Sequence, residues 1–201
     1  AFNPAGWYTR QIHIEASVTL QTGWKYVVAL DLASQDGDTA TFKPVSFETL
    51  VDSPMFAGRY FRQIDLDPGG RSPVRLNIVA DRPELLEATD EQIQKHRNLV
   101  VQADRLFGAR HFDHYDLLLA LTDRMGGIGL EHQRSSENGS DPEYFTEWDR
   151  MAPRRNLLPH EYGHSWNGKY RRGEDIWTAD YMTPMRDSLL WVYEGQDQYW
   201  G

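Results

Sequence analysis

Residues Leu157–Arg172 read LLPHEYGHSWNGKYRR and hold the pattern H-E-x-x-H at His160, Glu161 and His164. On a helix, residues four apart lie on one face, one turn above the other. Two imidazoles placed in this way can grip one metal ion. Zinc suits them, because imidazole nitrogen is a borderline donor and tetrahedral coordination takes two such ligands readily. Glu161 points beside that face, where a carboxylate can reach a water at the metal without displacing it. Two histidine ligands and a glutamate that takes a proton from water form a pattern suited to metal-assisted hydrolysis.

Further along, Trp191-Val192-Tyr193-Glu194-Gly195 falls inside another helical pattern. Sites whose third ligand is a glutamate take it from a following helix, which makes Glu194 the candidate third zinc ligand. Its neighbours Leu189, Leu190, Trp191, Val192 and Tyr193 are company in which a carboxylate is costly to bury without a cationic partner. The alternatives for Glu194 are an exposed helix residue or an ion pair with an arginine such as Arg186.

The 201 residues suffice for one large domain or two small ones. A net charge of −9 without a basic stripe excludes nucleic acid as the expected partner and weakly favours cationic ligands such as a free amino terminus. With no cysteine, disulfides and thiolate zinc sites are ruled out. The same absence leaves the compartment open between bacterial cytoplasm and periplasm, with a lean to the periplasm. No run is apolar and long enough for a membrane span, and the opening Ala1-Phe2-Asn3-Pro4 has no signal-peptide character. The chain opens without Met, and Gln198-Tyr199-Trp200-Gly201 continue the last helical pattern, so the expectation is a piece of a longer polypeptide.

Upstream of the motif the pattern is β. Gln11–Leu20 alternates, Tyr26–Leu32 reads as a strand, and a turn is expected at Gln35–Asp38. Thr41–Val51 reads as further short strands, followed by strands near Met55–Ala57, Arg59–Leu66 and Val74–Ala80. Spacing of this kind predicts an antiparallel β module over residues 1–82. His13 lies on the polar side of its strand and is assigned no chemistry. From Thr89 to Phe107 the period becomes helical, with Gly108 as a stop and His96 expected at the surface. Tyr115–Thr122 is an unbroken apolar run, a strand covered on both faces. Gly126, Gly127 and Gly129 allow close backbone approach before Glu131-His132, although this segment alone reads as a flexible hairpin with exposed charges. Ser135–Asp141 reads as a loop. The motif helix is expected from about Asn156 towards Tyr170, with Lys169, Arg171 and Arg172 complementing its C-terminus. The last helix is expected to start at Thr183-Pro184, with Thr as cap.

Three segments together resemble the glycyl aminopeptidase family of zinc metallopeptidases, thermolysin-like relatives of the aminopeptidase N group. They are Gly127–Ser136 (GIGLEHQRSS), His160–Lys169 (HEYGHSWNGK) and Leu189–Tyr199 (LLWVYEGQDQY). The resemblance implies an α+β fold: part of an N-terminal antiparallel β domain (1–82), then the first half of a thermolysin-like catalytic domain (83–201). It implies one zinc ion held by His160, His164 and Glu194, with Glu161 as general base. Glu131 would sit on a strand edge and bind the α-amino group of a peptide with a free N-terminus, next to a substrate-binding segment that includes Gly127, Gly129 and His132. It further implies a preference for small first residues such as glycine, a helical remainder of the catalytic domain, and a PDZ-like domain elsewhere in the parent chain. The oxyanion-stabilising residue of the group would fall after Gly201. Related enzymes often carry an aspartate four residues after the ligand glutamate to orient a zinc histidine. Here that position is Gln198, with Asp197 or Asn167 as substitutes. Two other classes compete with an aminopeptidase: an inactive or truncated zinc-binding module with a structural or interaction role, and a β-rich interaction domain with an accidental motif.

Overall fold

The computed structural model describes residues 3–201, so Ala1 and Phe2 of the opening stretch lie outside the described residues. The N-terminal part is made of short strands: β1 (His13–Ile14), β2 (Ser17–Thr19), β3 (Lys25–Val28), β4 (Leu32–Asp36), β5 (Thr39–Phe42) and β6 (Val45–Ser46). Helix α1 (Phe47–Val51) and β7 (Met55–Gly58) follow. The pairings are antiparallel: β1 with β6, β2 with β5, β4 with β5, and β3 with β7. The rest comprises β8 (Tyr60–Asp65), β9 (Val74–Ala80), α2 (Asp90–Phe107), β10 (Tyr115–Leu121), β11 (Gly129–Glu131), β12 (Ser135–Ser140), α3 (Leu157–Gly163) and α4 (Leu190–Trp200).

These later strands build one mixed sheet in the order β11-β12-β10-β9-β8. β10 runs parallel to both neighbours, while β8 and β11 close the edges antiparallel. Every residue of β10 is buried, including Asp116, whose carboxylate accepts from the Asn77 amide at 2.9 Å and meets His114 Nδ1 at 3.0 Å. Leu117, Leu119 and Leu121 share a core with Val100 and Ala103 of α2 and Leu158 and Tyr162 of α3. Leu118 and Ala120, on the opposite face, pack with Val27 and Phe56 of the N-terminal strands. The division expected at residue 82 falls between β9 and β10, which pair side by side. A change from strand to helix pattern marks where helices begin; it does not mark where a sheet ends.

Helix α2 follows its sequence signals closely. Thr89 and Gln92 form a reciprocal capping box, and Gly108 closes the helix in the left-handed conformation. Several other expectations are corrected. Phe47–Val51 is a helix, because the Ser46 hydroxyl accepts from the Thr49 amide and caps it. The expected strand at Tyr26–Leu32 stops at Val28; a second runs from Leu32 to Asp36, and the turn expected at Gln35–Asp38 is present, tightened to Gly37–Asp38. His96 is buried: its ring nitrogens meet the Gln92 carbonyl at 2.7 Å and the Tyr144 hydroxyl at 3.0 Å. Ser135–Ser140 is an interior strand, with the Asn138 amide donating to the Leu118 carbonyl at 2.9 Å.

The two helices that matter most for the site are shorter than their patterns. α3 stops at Gly163. Beyond it the amides of Lys169, Tyr170 and Arg171 reach back five residues, and Gly168 takes φ +135°, which a helix cannot accommodate. Lys169 therefore does not serve a helix end; it pairs with Asp52 at 3.0 Å. α4 begins at Leu190, several residues after Thr183-Pro184. Its entry is held from outside by the Asp175 carboxylate, which accepts from the Leu189 amide at 2.7 Å and from the Ser188 hydroxyl at 2.6 Å.

Candidate metal centre

His160 and His164 lie one turn apart at the end of α3, and α4 packs against them with Glu194 on the facing side. The His160 and His164 Nε2 atoms are 3.1 Å apart. Glu194 Oε2 is 3.3 Å from the first and 3.4 Å from the second. Three ligand atoms on a tetrahedral ion with bonds of about 2.0–2.1 Å would be separated by about 3.3 Å, since a tetrahedron's edge is about 1.6 bond lengths. The observed triangle has that size, and the donor set of two imidazoles and one carboxylate is one that zinc accepts. Glu194 is half exposed at 48%, which leaves one side of the triangle facing solvent.

The orientation of His164 is fixed from behind. Its Nδ1–H donates to Asp197 Oδ2 at 2.9 Å, with the Asn167 carbonyl at 3.2 Å. This commits the proton to Nδ1 and leaves Nε2 as the donor atom for a metal. Asp197 is fully buried and also accepts from Asn167 Nδ2 at 2.9 Å. Burial works against a charged His164, but the Asp197 carboxylate overcomes it and moves the ring's pKa up to about 9. Asp197 thus takes the orienting role for which Gln198 stands at the customary position. A residue three positions after Glu194 shares its helix face, so Glu194 and Asp197 point at α3 together. Gly163 makes the approach possible, since a Cβ there would fall 2.4 Å from Asp197 Oδ1.

Glu161 is buried, with Oε1 4.0 Å from His160 Nε2 and Oε2 without a hydrogen-bond partner. Burial first, and the nearby Glu131 charge second, push its pKa up to about 7. A free carboxylate oxygen, poised near neutrality beside a cation site, has the properties required of a proton acceptor.

Glu131 and Gly129 lie two apart on edge strand β11 and so share a face. That face looks at α3: a Cβ on Gly129 would fall 2.2 Å from Glu161 Oε1. One oxygen each of Glu131 and Glu161 and one His164 nitrogen lie within 4.8 Å of one another, a second cation-sized cluster beside the first. The Tyr193 hydroxyl donates to Glu131 Oε1, and its ring lies 4.4 Å from the His164 ring. Burial and the Glu131 charge hold this phenol protonated, well above its ordinary range.

The structure does not bring every expected residue to the centre. His132 is buried on the other side of the strand end, where its Nδ1 meets Asp52 Oδ1 at 3.1 Å. Asp52 also takes Lys169 and the Gln133 amide, tying the N-terminal part to the loop after α3. Backbone alternation explains the split: neighbours along a strand point to opposite faces. Gly127 has open space around it and meets no part of the centre. Sequence reasoning overlooked Tyr193. Its position beside a ligand glutamate carries no spacing rule, and its partner lies on a different element. In the structure Gly168 makes room for that ring, since a Cβ there would fall 1.8 Å from it.

Comparison with known proteins bears on this geometry. Residues 154–201 match the family model described as M61 glycyl aminopeptidase, and residues 2–59 match the peptidase M61 N-terminal domain. No curated protein matches the sequence. Among solved structures, an aminopeptidase N family protein from Idiomarina loihiensis superposes over 96% of this chain and 33% of its own, with TM-score 0.67 and 20% identity. An M1 zinc metallopeptidase from Deinococcus radiodurans gives TM-score 0.47 at 16% identity, over 84% of this chain and 35% of its own. The chain spans about a third of the length of these structures.

Proposed function

Since the chain belongs to the glycyl aminopeptidase family, whose N-terminal and peptidase models match its two ends, we propose that it carries the zinc site of an aminopeptidase. The observation that carries this reading is the ligand triangle of His160, His164 and Glu194 with a buried, unpartnered Glu161 oxygen next to it. His160, His164 and Glu194 hold one zinc ion. When bound, zinc supplies Lewis acidity, which acidifies a water and polarises a carbonyl. Glu161 accepts the water proton at Oε2 and passes it to the leaving nitrogen. Glu131 accepts hydrogen bonds from the substrate's α-ammonium at the edge of the sheet, which fixes the peptide's register at its first residue. The open edge of β11 leaves room for peptide backbone along the strand. The preferred first residue is small, glycine above all, as in the family. The remainder of the catalytic domain and a PDZ-like domain complete the parent protein.

The test is hydrolysis of glycyl-p-nitroanilide by the full-length protein, with and without Glu161→Gln. The variant should keep stoichiometric zinc and lose turnover by about 10²-fold or more. Substantial residual activity would remove Glu161 as the base. Glu131→Gln should harm substrates with a free amine far more than N-blocked ones, and equal losses on both would count against amine recognition.

A further inference from the structure

We propose that Tyr193 is a positioning residue for the substrate's amino end, holding the Glu131 carboxylate at a fixed distance from the zinc ligands. The inference rests on the aminopeptidase reading and adds to it the device that sets the register.

The Tyr193 hydroxyl makes the only hydrogen bond to the Glu131 carboxylate among the described residues. It takes Oε1 and leaves the second oxygen for an ammonium. Glutamate has several rotatable bonds, and Glu131 stands on a three-residue edge strand with solvent beside it. It also faces Glu161, a like charge that pushes it away from the position where an ammonium would be useful. A single well-anchored donor opposes both tendencies. The anchor is firm because the Tyr193 ring is held on two sides. One side lies against the His164 ring, with centroids 4.4 Å apart and planes at 31°. The ring's edge at Cε2 abuts Gly168, where any Cβ would fall 1.8 Å from it and where φ +135° favours glycine.

Tyr193 directly precedes Glu194 on α4. One turn of helix therefore delivers a zinc ligand and the clamp on the amine-binding carboxylate together. The distance from ammonium to scissile carbonyl is set by that shared turn rather than by the short edge strand. A group that binds the ammonium equally in ground and transition states lowers KM without changing kcat.

The experiment is a double-mutant cycle on the zinc-loaded full-length protein, with glycyl-p-nitroanilide as substrate and zinc content measured for each variant. Tyr193→Phe keeps the ring and removes only the donor. It should retain stoichiometric zinc, raise KM by about tenfold, as loss of one hydrogen bond to a charged group predicts, and leave kcat within about twofold. In a Glu131→Gln background the same change should alter KM by less than about twofold, because the carboxylate it served is gone. Three results would overturn the inference: multiplicative losses in the double variant, zinc loss in Tyr193→Phe, or an unchanged KM while Glu131→Gln is severely impaired. If wild type and Glu131→Gln cleave the substrate equally well, the aminopeptidase reading falls and takes this inference with it.

Discussion

Replacing Asp197 should weaken zinc binding although this residue never touches the ion. Its Oδ2 accepts from both His164 Nδ1 and Asn167 Nδ2, each at 2.9 Å, in a fully buried position. In Asp197→Ala, Asn167 still has the Val192 and Tyr193 carbonyls at 3.2 and 3.3 Å, so it remains partnered. His164 keeps only the Asn167 carbonyl at 3.2 Å. The loss therefore falls on the zinc ligand. Removing an outer carboxylate from a ligating histidine typically costs about 10–100-fold in metal affinity, or about 1.4–2.8 kcal/mol. Asp197→Asn separates charge from shape. Its amide oxygen can take the Oδ2 position and accept both donors, while the amide nitrogen faces Gly163 at the unpartnered Oδ1 position. The expected loss for Asp197→Asn is up to about tenfold, from the charge alone. Zinc affinity measured by competition against a chelator of known strength gives both numbers. Wild-type affinity in Asp197→Ala would refute the argument that this carboxylate orients and strengthens His164.

Other consequences follow from the same contacts. Metal-free protein should lose stability as pH rises. The His164 value of about 9 lies above its ordinary 6.5, so its stabilisation is complete below pH 6.5 and vanishes through about pH 9. Glu161, raised from 4.5 to about 7, acts with the same sign over the lower window, and denaturant titrations from pH 4.5 to 9 without zinc read both. Zinc must displace the His164 proton, so zinc affinity should climb by up to about tenfold per pH unit between 6.5 and 9, an increase that Asp197→Ala should flatten. Gly129→Ala drives a Cβ into the Glu161 carboxylate at 2.2 Å and should cut kcat by about 10²-fold with zinc retained, checked by turnover beside metal analysis. Gly163→Ala meets Asp197 Oδ1 at 2.4 Å and should reproduce the zinc-affinity loss of the Asp197 variants in the same chelator assay.

What the sequence made legible was whatever local spacing encodes. H-E-x-x-H on one helix face and a glutamate on the next helix give the ligand triangle almost directly. The helical period from Thr89 to Phe107 and the glycine stop at Gly108 bound α2 to within a residue. The apolar run Leu117–Leu121 marks the strand buried on both faces. Legibility ended where tertiary partners decide. Ser135–Ser140 is polar and turn-like in composition, yet it is an interior strand, because β10 and β11 satisfy its backbone and Leu118 takes the Asn138 amide. His96 lies among charged residues, but Tyr144, far along the chain, meets its ring and permits burial. The residues after His164 continue a helical composition, whereas α3 ends at Gly163 and Gly168 takes a φ of +135° that no helix has. In the site itself the resemblance offers Asp197 as a residue orienting a zinc histidine, while the contacts with no counterpart in the sequence are Tyr193 on Glu131 and Asp52 drawing His132 away from the centre. No spacing rule reaches from one element to another at that level of detail.

The most direct test of the central claim is anomalous diffraction at the zinc edge on crystals of the zinc-loaded protein. The geometry predicts one strong peak about 2.0–2.1 Å from His160 Nε2, His164 Nε2 and Glu194 Oε2 at once, with a fourth position open beside Glu161. A fully occupied zinc elsewhere, or one bound with Glu194 turned away in an intact fold, would contradict it.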